Sequence, residues 1–252
     1  MFFYLLLIVL FGLVFGSFLG AFTYRYPKNI DFVKGRSFCP LCKTKIEWFD
    51  NVPLLSFISL KGRCRNCKKK ISFRYSLVEA FSGLSFLLIY LRYYNNILDL
   101  IICLIFFLIT LSMIVIDIEE GIIPDELNFL GFTLSIFYII LFKNSLSFQS
   151  IFAGFALSSF MLLIHLFTKG KGMGLGDVKF TLFPGTFLLF PLSIIWLFLS
   201  FIIGSVVGVF MVIFKKAKFG RPIPFGPFLG VSFIAVLIWG ENLVKWIIPI
   251  FK

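Results

Sequence analysis

Residues 180–214, thirty-five in a row, carry no charged side chain. About 20 apolar residues span the hydrocarbon core of a bilayer, so this run is too long for one span and just enough for two short ones. Pro184-Gly185, Pro191 and Gly204 are read as its breaks. Apolar runs at 2–23, 76–94, 98–116, 127–142, 148–168 and 228–249 join spans at 179–194 and 196–214, which predicts eight in all. Hydrophobic residues make up 60% of the 252 and charged residues 14%, a balance that a water-solvated fold cannot hide. The expected fold class is all-α: a polytopic membrane bundle of about eight helices, with one small polar loop.

The charges orient the bundle. The net charge of +12 arises almost wholly between Arg25 and Arg74, where 13 Lys and Arg face three acids, Asp31, Glu47 and Asp50. With eight spans, one face of the membrane receives the loops 24–75, 117–126, 169–179 and 215–227, which hold 20 of the 24 basic residues. Basic loops stay inside, so both termini are expected outside; an odd number of spans in 180–214 would put Lys215, Lys216, Lys218 and Arg221 on the wrong side. The N-terminus lacks a basic lead-in and a small-residue cleavage site, so residues 1–24 are expected to be a retained first helix. The loop 25–75 and a seven-helix core, 76–252, complete the predicted organisation.

Acids are scarce, and five of the twelve lie between Asp117 and Glu126. Asp117 follows the apolar run Met113-Ile114-Val115-Ile116, so its carboxylate is expected at the lipid boundary, where an ionisable group is costly and reads as functional. Pro124 fixes the entry of the next helix, and Asp125 beside it is a candidate cap. A second segment, residues 169–179, places four glycines in seven residues, among them Gly174 and Gly176, directly before Asp177 and Lys179. The topology puts Asp117 and Asp177 on one face. Two carboxylates sharing a site cannot easily both ionise, so a proton is held between them. The ionised member can then deprotonate a water while the other protonates an amide carbonyl, hydrolysis without a metal or a covalent intermediate.

The polar loop holds Cys39-Pro40-Leu41-Cys42 and Cys64-Arg65-Asn66-Cys67, with 21 residues between the pairs. Four thiolates so spaced can bind Zn²⁺ tetrahedrally; two local disulfides or free thiols are the alternative. All four positions would be filled by protein, so such a metal organises the loop and does not catalyse. Cys103 reads as a packed apolar residue, and His165 as a core or interface histidine.

These motifs, taken in order, resemble the type IV prepilin leader peptidase and N-methyltransferase family. Gly16-Ser17-Phe18-Leu19 with Tyr24-Arg25-Tyr26-Pro27 is similar to its opening motif, and Arg74 to Glu79 to its exit from the cysteine loop. Asp117 with Ile123-Pro124-Asp125 resembles the first catalytic motif. Gly174-Leu175-Gly176-Asp177-Val178-Lys179 resembles the second, the GxGD signature shared with presenilin-like proteases. Ile223-Pro224-Phe225-Gly226-Pro227-Phe228-Leu229 resembles a late motif. Gly20 departs from the pattern, which has asparagine there.

The resemblance implies a bacterial cytoplasmic-membrane enzyme that cuts prepilin or pseudopilin substrates on the cytoplasmic side. The cut falls after the glycine of a short basic leader, with Asp117 and Asp177 as the catalytic pair. Glu119, Glu120, Asp125 and Glu126 are placed to receive that leader. The resemblance also implies methylation of the new N-terminus with S-adenosylmethionine. No GxGxxG opens a βαβ unit here; Glu79 is a candidate contact, with a helix-end ion pair to Arg74 as the favoured reading. Two other classes compete. A transporter would place ionisable groups near mid-membrane in paired halves, and no such repeat is evident. A membrane-tethered nucleic-acid module would use the basic loop with Trp48, Phe49, Phe57 and Phe73, but anionic lipid headgroups account for that charge more simply, and no nucleic acid is expected.

Overall fold

The computed structural model describes residues 2–31, 36–143, 147–214 and 223–247, and among these no β-strand forms. Eight long helices and one short one follow in order: α1 (Phe2–Arg25), α2 (Leu55–Ser59), α3 (Phe73–Tyr93), α4 (Ile97–Glu120), α5 (Asp125–Phe142), α6 (Ser147–Phe167), α7 (Leu175–Phe187), α8 (Leu192–Ile213) and α9 (Gly226–Ile247). Six of them, α1, α3, α4, α5, α6 and α8, are long and apolar enough to cross a membrane. The expected all-α membrane bundle is what the chain forms.

The 180–214 run resolves differently in detail. Pro184-Gly185 does not break it; both residues lie inside α7, and the chain turns at residues 188–191 instead. Gly185 is held because a Cβ there would stand 2.9 Å from the Gly154 Cα of α6. At 13 residues α7 reaches about 20 Å, less than the hydrocarbon core. Lys215, Lys216, Lys218 and Arg221, which anchor the predicted orientation, lie outside the described residues.

The chain divides into two compact units, residues 1–108 and 109–252. In the first, α1 lies along α3 through small residues. A Cβ on Gly12 would stand 2.8 Å from the Gly83 Cα, and one on Gly16 would stand 2.8 Å from the Glu79 Cα. Where lipid is as apolar as the helix surfaces, such close backbone approach replaces the hydrophobic drive to pack. Arg74 closes the loop end of this pair, donating to the carbonyl of Gly20 (3.0 Å) and to the Thr23 hydroxyl.

In the second unit α7 packs against α5 and α6, and α9 against α7 and α8. Polar ties hold the seams, as apolar contact alone does little in lipid. Ser158 Oγ donates to the Val178 carbonyl (2.9 Å), Trp196 Nε1 to the Leu229 carbonyl (2.9 Å), and Ser135 Oγ to the carbonyls of Gly131 and Phe183. Thr181 Oγ1 bonds back to the Asp177 carbonyl (2.8 Å), steadying the first turn of α7. Phe180, Phe183, Trp196 and Phe233 are fully buried in its core.

Candidate aspartyl site and cysteine knuckles

Asp117 lies in the last turn of α4 and Asp177 in the first turn of α7, both buried, at 5% and 7% exposure. A contiguous set of small contacts connects them. A Cβ on Gly226, the first residue of α9, would fall 2.5 Å from Asp117 Oδ2 and 2.9 Å from Ile123 Cδ1. A Cβ on Gly176, beside Asp177, would fall 3.2 Å from Ile123 Cβ. The Ile123 side chain therefore sits between the start of α9, which carries Asp117's neighbour, and the start of α7, which carries Asp177. Asp117 is also among the charges that act on Asp177. Their burial takes water away from two acids that feel each other, the setting in which a shared proton is worth most.

Each carboxyl has its own surroundings. Asp177 Oδ2 accepts the Gly174 N–H at 3.1 Å, so Asp177 caps its own helix from inside the first turn. A Cβ on Gly174 would stand 3.2 Å from that oxygen, which accounts for the first glycine of the motif, as Ile123 accounts for the second. Asp117 Oδ2 is buried and makes no hydrogen bond. The supporting residues gather here as well. Pro124 is the N-cap residue of α5, and Lys179 Nζ pairs with both Asp125 oxygens (2.8 and 2.7 Å). With both partners at least half exposed, that ion pair adds little stability and serves mainly to align the starts of α5 and α7. Glu119 and Glu120 end α4 exposed.

Sequence reasoning gave no specific role to three residues of this unit, among them His165, read only as a core or interface histidine. Gly226 was visible only as one letter of the late motif. His165 is a clamp: its Nδ1–H donates to the Met173 carbonyl (2.7 Å), and its ring lies where a Cβ on Gly170 would meet it at 3.3 Å. The glycine segment leading to Asp177 is thereby tied to the end of α6, with Gly172 N–H on Thr168 Oγ1 (3.1 Å) as a second tie. The third is Asn128, buried on α5 with neither amide atom hydrogen-bonded.

In the first unit Cys39, Cys42, Cys64 and Cys67 bring their sulfurs within 4.8 Å of one another, and all are free thiols. The two hooks are copies of one turn. Cys39 N–H donates to the Thr44 carbonyl and Lys43 N–H to the Cys39 carbonyl; Cys64 and Lys69, Lys68 and Cys64 repeat the pair. Lys43 and Lys68 both adopt positive φ, and bridges Phe38–Lys45 and Arg63–Lys70 close the turns. Each hook's backbone thus meets its own hydrogen-bond needs and turns both sulfurs inward. The Asn66 side chain joins the hooks through Thr44 Oγ1 (2.8 Å), and Arg65 holds Asp50 through two 2.7 Å bonds. That guanidinium keeps Asp50 below the usual carboxylate range.

Hydrogen bonds from Thr44 draw the Cys42 thiol down to about 6. The Lys69 amide pulls on Cys67, but desolvation and the neighbouring thiols push it up to about 11. Four thiolates resist being gathered without a cation among them. A metal ion fits this cluster, because a Zn–S distance of about 2.3 Å gives sulfur–sulfur edges of about 3.8 Å, inside the observed spread.

Glu79 is buried on α3, and its Oε2 accepts the Leu54 N–H (2.9 Å), holding Leu54 at φ 58° where α2 begins. This backbone contact ties Glu79 to the start of α2.

Comparison with known proteins follows the same two parts. The model for the bacterial peptidase A24 N-terminal domain matches residues 10–93, and that for the type IV leader peptidase family matches residues 102–209. Among curated relatives, the prepilin leader peptidase/N-methyltransferase of Vibrio cholerae is 32% identical, over 92% of this chain and 96% of its own. Its namesake from Pseudomonas aeruginosa is 29% identical over 96% and 92%, and that from Stutzerimonas stutzeri 32% over 81% and 72%. No solved structure matches the chain.

Proposed function

This chain belongs to the type IV leader peptidase family, and we propose on that premise that it is a membrane aspartic endopeptidase that removes the leader of prepilin-like proteins and methylates the new N-terminus. The observation that carries the peptidase reading is the meeting of buried Asp117 and Asp177 through Gly226, Ile123 and Gly176. With one proton between them, the ionised carboxylate takes a proton from a water as its oxygen attacks the scissile carbonyl carbon. The protonated partner hydrogen-bonds to the carbonyl oxygen. As the C–N bond breaks, the departing amine takes up a proton from the pair, which returns to its starting state.

The substrates are prepilins or pseudopilins, with a basic leader next to a hydrophobic helix. Exposed Glu119, Glu120 and Glu126 are the acids that receive the leader. The protein sits in the bacterial cytoplasmic membrane with this face and the loop 25–75 toward the cytoplasm. The first helix anchors that loop, and residues 76–252 form the peptidase core. Cys39, Cys42, Cys64 and Cys67 would hold a zinc ion, which would staple the loop.

For methylation, S-adenosylmethionine is the donor that the relatives' name implies. In this arrangement Glu79 Oε2 is engaged by the Leu54 N–H, and the Gly16 backbone lies against the Glu79 Cα.

Co-expression with a prepilin tests the peptidase reading. Asp117→Asn and Asp177→Asn keep size and remove ionisation, so each is expected to abolish leader removal, read as a mobility shift, with the protein still in the membrane. Cleavage by either variant at more than a few per cent of the wild-type rate would refute the assignment.

A further inference from the structure

The face of α5 turned to α7 carries Pro124, Asn128, Gly131 and Ser135, all buried at helical spacing. Gly131 meets the Phe183 ring, which an added Cβ would approach to 3.0 Å, and Ile123 just before α5 meets Gly176. Eight residues separate the two contacts on one chain segment and seven on the other, so α5 and α7 run parallel and in step. Asn128 thus stands level with Phe180 and Thr181, about one helical turn (roughly 5 Å) beyond Asp177 into the bundle.

Asn128 is 7% exposed, and neither its Nδ2 nor its Oδ1 has a hydrogen-bond partner. A buried carboxamide offers two donors and two acceptor lone pairs, and leaving them unpaired is costly, more so where no water reaches. Nothing in the packing requires an amide there. Its neighbours on the stripe are proline, glycine and a serine bonded within its own seam.

Peptide-bond hydrolysis supplies the missing partner. A helical substrate buries its scissile carbonyl in its own hydrogen bonds, so the segment at the cut must be extended. Its N–H and C=O groups are then unsatisfied in a site from which water is largely excluded. We propose that Asn128 is a substrate-positioning residue whose carboxamide pairs with the main chain of the extended segment beside the scissile bond. The proposal rests on the peptidase reading above. A carboxamide suits the task because it matches a peptide group donor for acceptor, carries no charge, and ignores side-chain identity.

The test uses the full-length enzyme and a peptide spanning a prepilin cleavage site. Asn128→Leu, close in volume and unable to hydrogen-bond, is expected to lower kcat/KM by tenfold to a hundredfold, while the thermal midpoint stays or rises because an unpaired buried amide is gone. Peptides N-methylated singly at each position around the cut locate the partner. One position should slow the wild-type enzyme and leave Asn128→Leu no slower than it already is. Wild-type rates in Asn128→Leu, as expected if a trapped water satisfies the amide, overturn the proposal. So does a fall in thermal midpoint in step with activity, or a failure of both Asn128→Leu and Asn128→Ala to fold, since each marks a structural amide. If instead Asp117→Asn or Asp177→Asn still cleaves, it is the peptidase reading that fails.

Discussion

Gly226 and Gly174 each leave room for a carboxylate oxygen, but not equally. A methyl group on Gly226 would lie 2.5 Å from Asp117 Oδ2, closer than any neighbour tolerates, with Ile123 blocking its retreat at 2.9 Å. On Gly174 the same group would lie 3.2 Å from Asp177 Oδ2, a conflict that a shift of a few tenths of an ångström relieves. Gly226→Ala is therefore expected to displace Asp117 and cut the cleavage rate by about a hundredfold or more, as a misplacement near 1 Å does in other sites. Gly174→Ala should cost less than about tenfold. The rates of the two purified variants on one peptide check the order, and equal losses would mean that Gly226 does not position Asp117.

The cysteine loop shows what an element made of two small repeats requires. Each hook closes its own backbone hydrogen bonds, and the Asn66–Thr44 bond ties one hook to the other. A cation shared by four thiolates would add a further tie. Metal binding releases thiol protons, so affinity must fall as pH falls. Bound zinc, measured by elemental analysis after equilibration against a weak chelator, is expected near one per chain at about pH 8 and to be lost progressively toward about pH 5. Replacing all four cysteines with serine should remove it at every pH. Zinc retained by that variant would place the metal elsewhere. The seam of α6 and α7 makes the same point in reverse: His165 and Thr168 secure the glycine segment with hydrogen bonds alone, and no ion is called for.

On the scale of the whole molecule, the proposed orientation rests on where the basic residues lie. Thirteen Lys and Arg between residues 25 and 74 give trypsin many sites in one loop. Trypsin added to spheroplasts is expected to leave this loop intact, while in inverted vesicles it should cut there and release the first helix from the rest. Cutting in spheroplasts would reverse the topology and move the aspartyl face away from the cytoplasm.

The helical membrane fold and the cysteine cluster were legible in the sequence, for a physical reason. Lipid permits few backbone arrangements, so uncharged runs announce helices, and the scarcity of acids makes Asp117 and Asp177 conspicuous. Paired CxxC hooks likewise declare a metal-type cluster, because their spacing is local. What tertiary structure decided are the contacts between distant segments. These include Ile123 wedged between Gly176 and Gly226, and His165 closing on Met173. They also include Glu79 held by Leu54, and Asn128 facing α7 with its amide unpaired. Such meetings depend on which helix faces which, and in a bundle uniformly apolar outside, helix periodicity alone does not specify that choice.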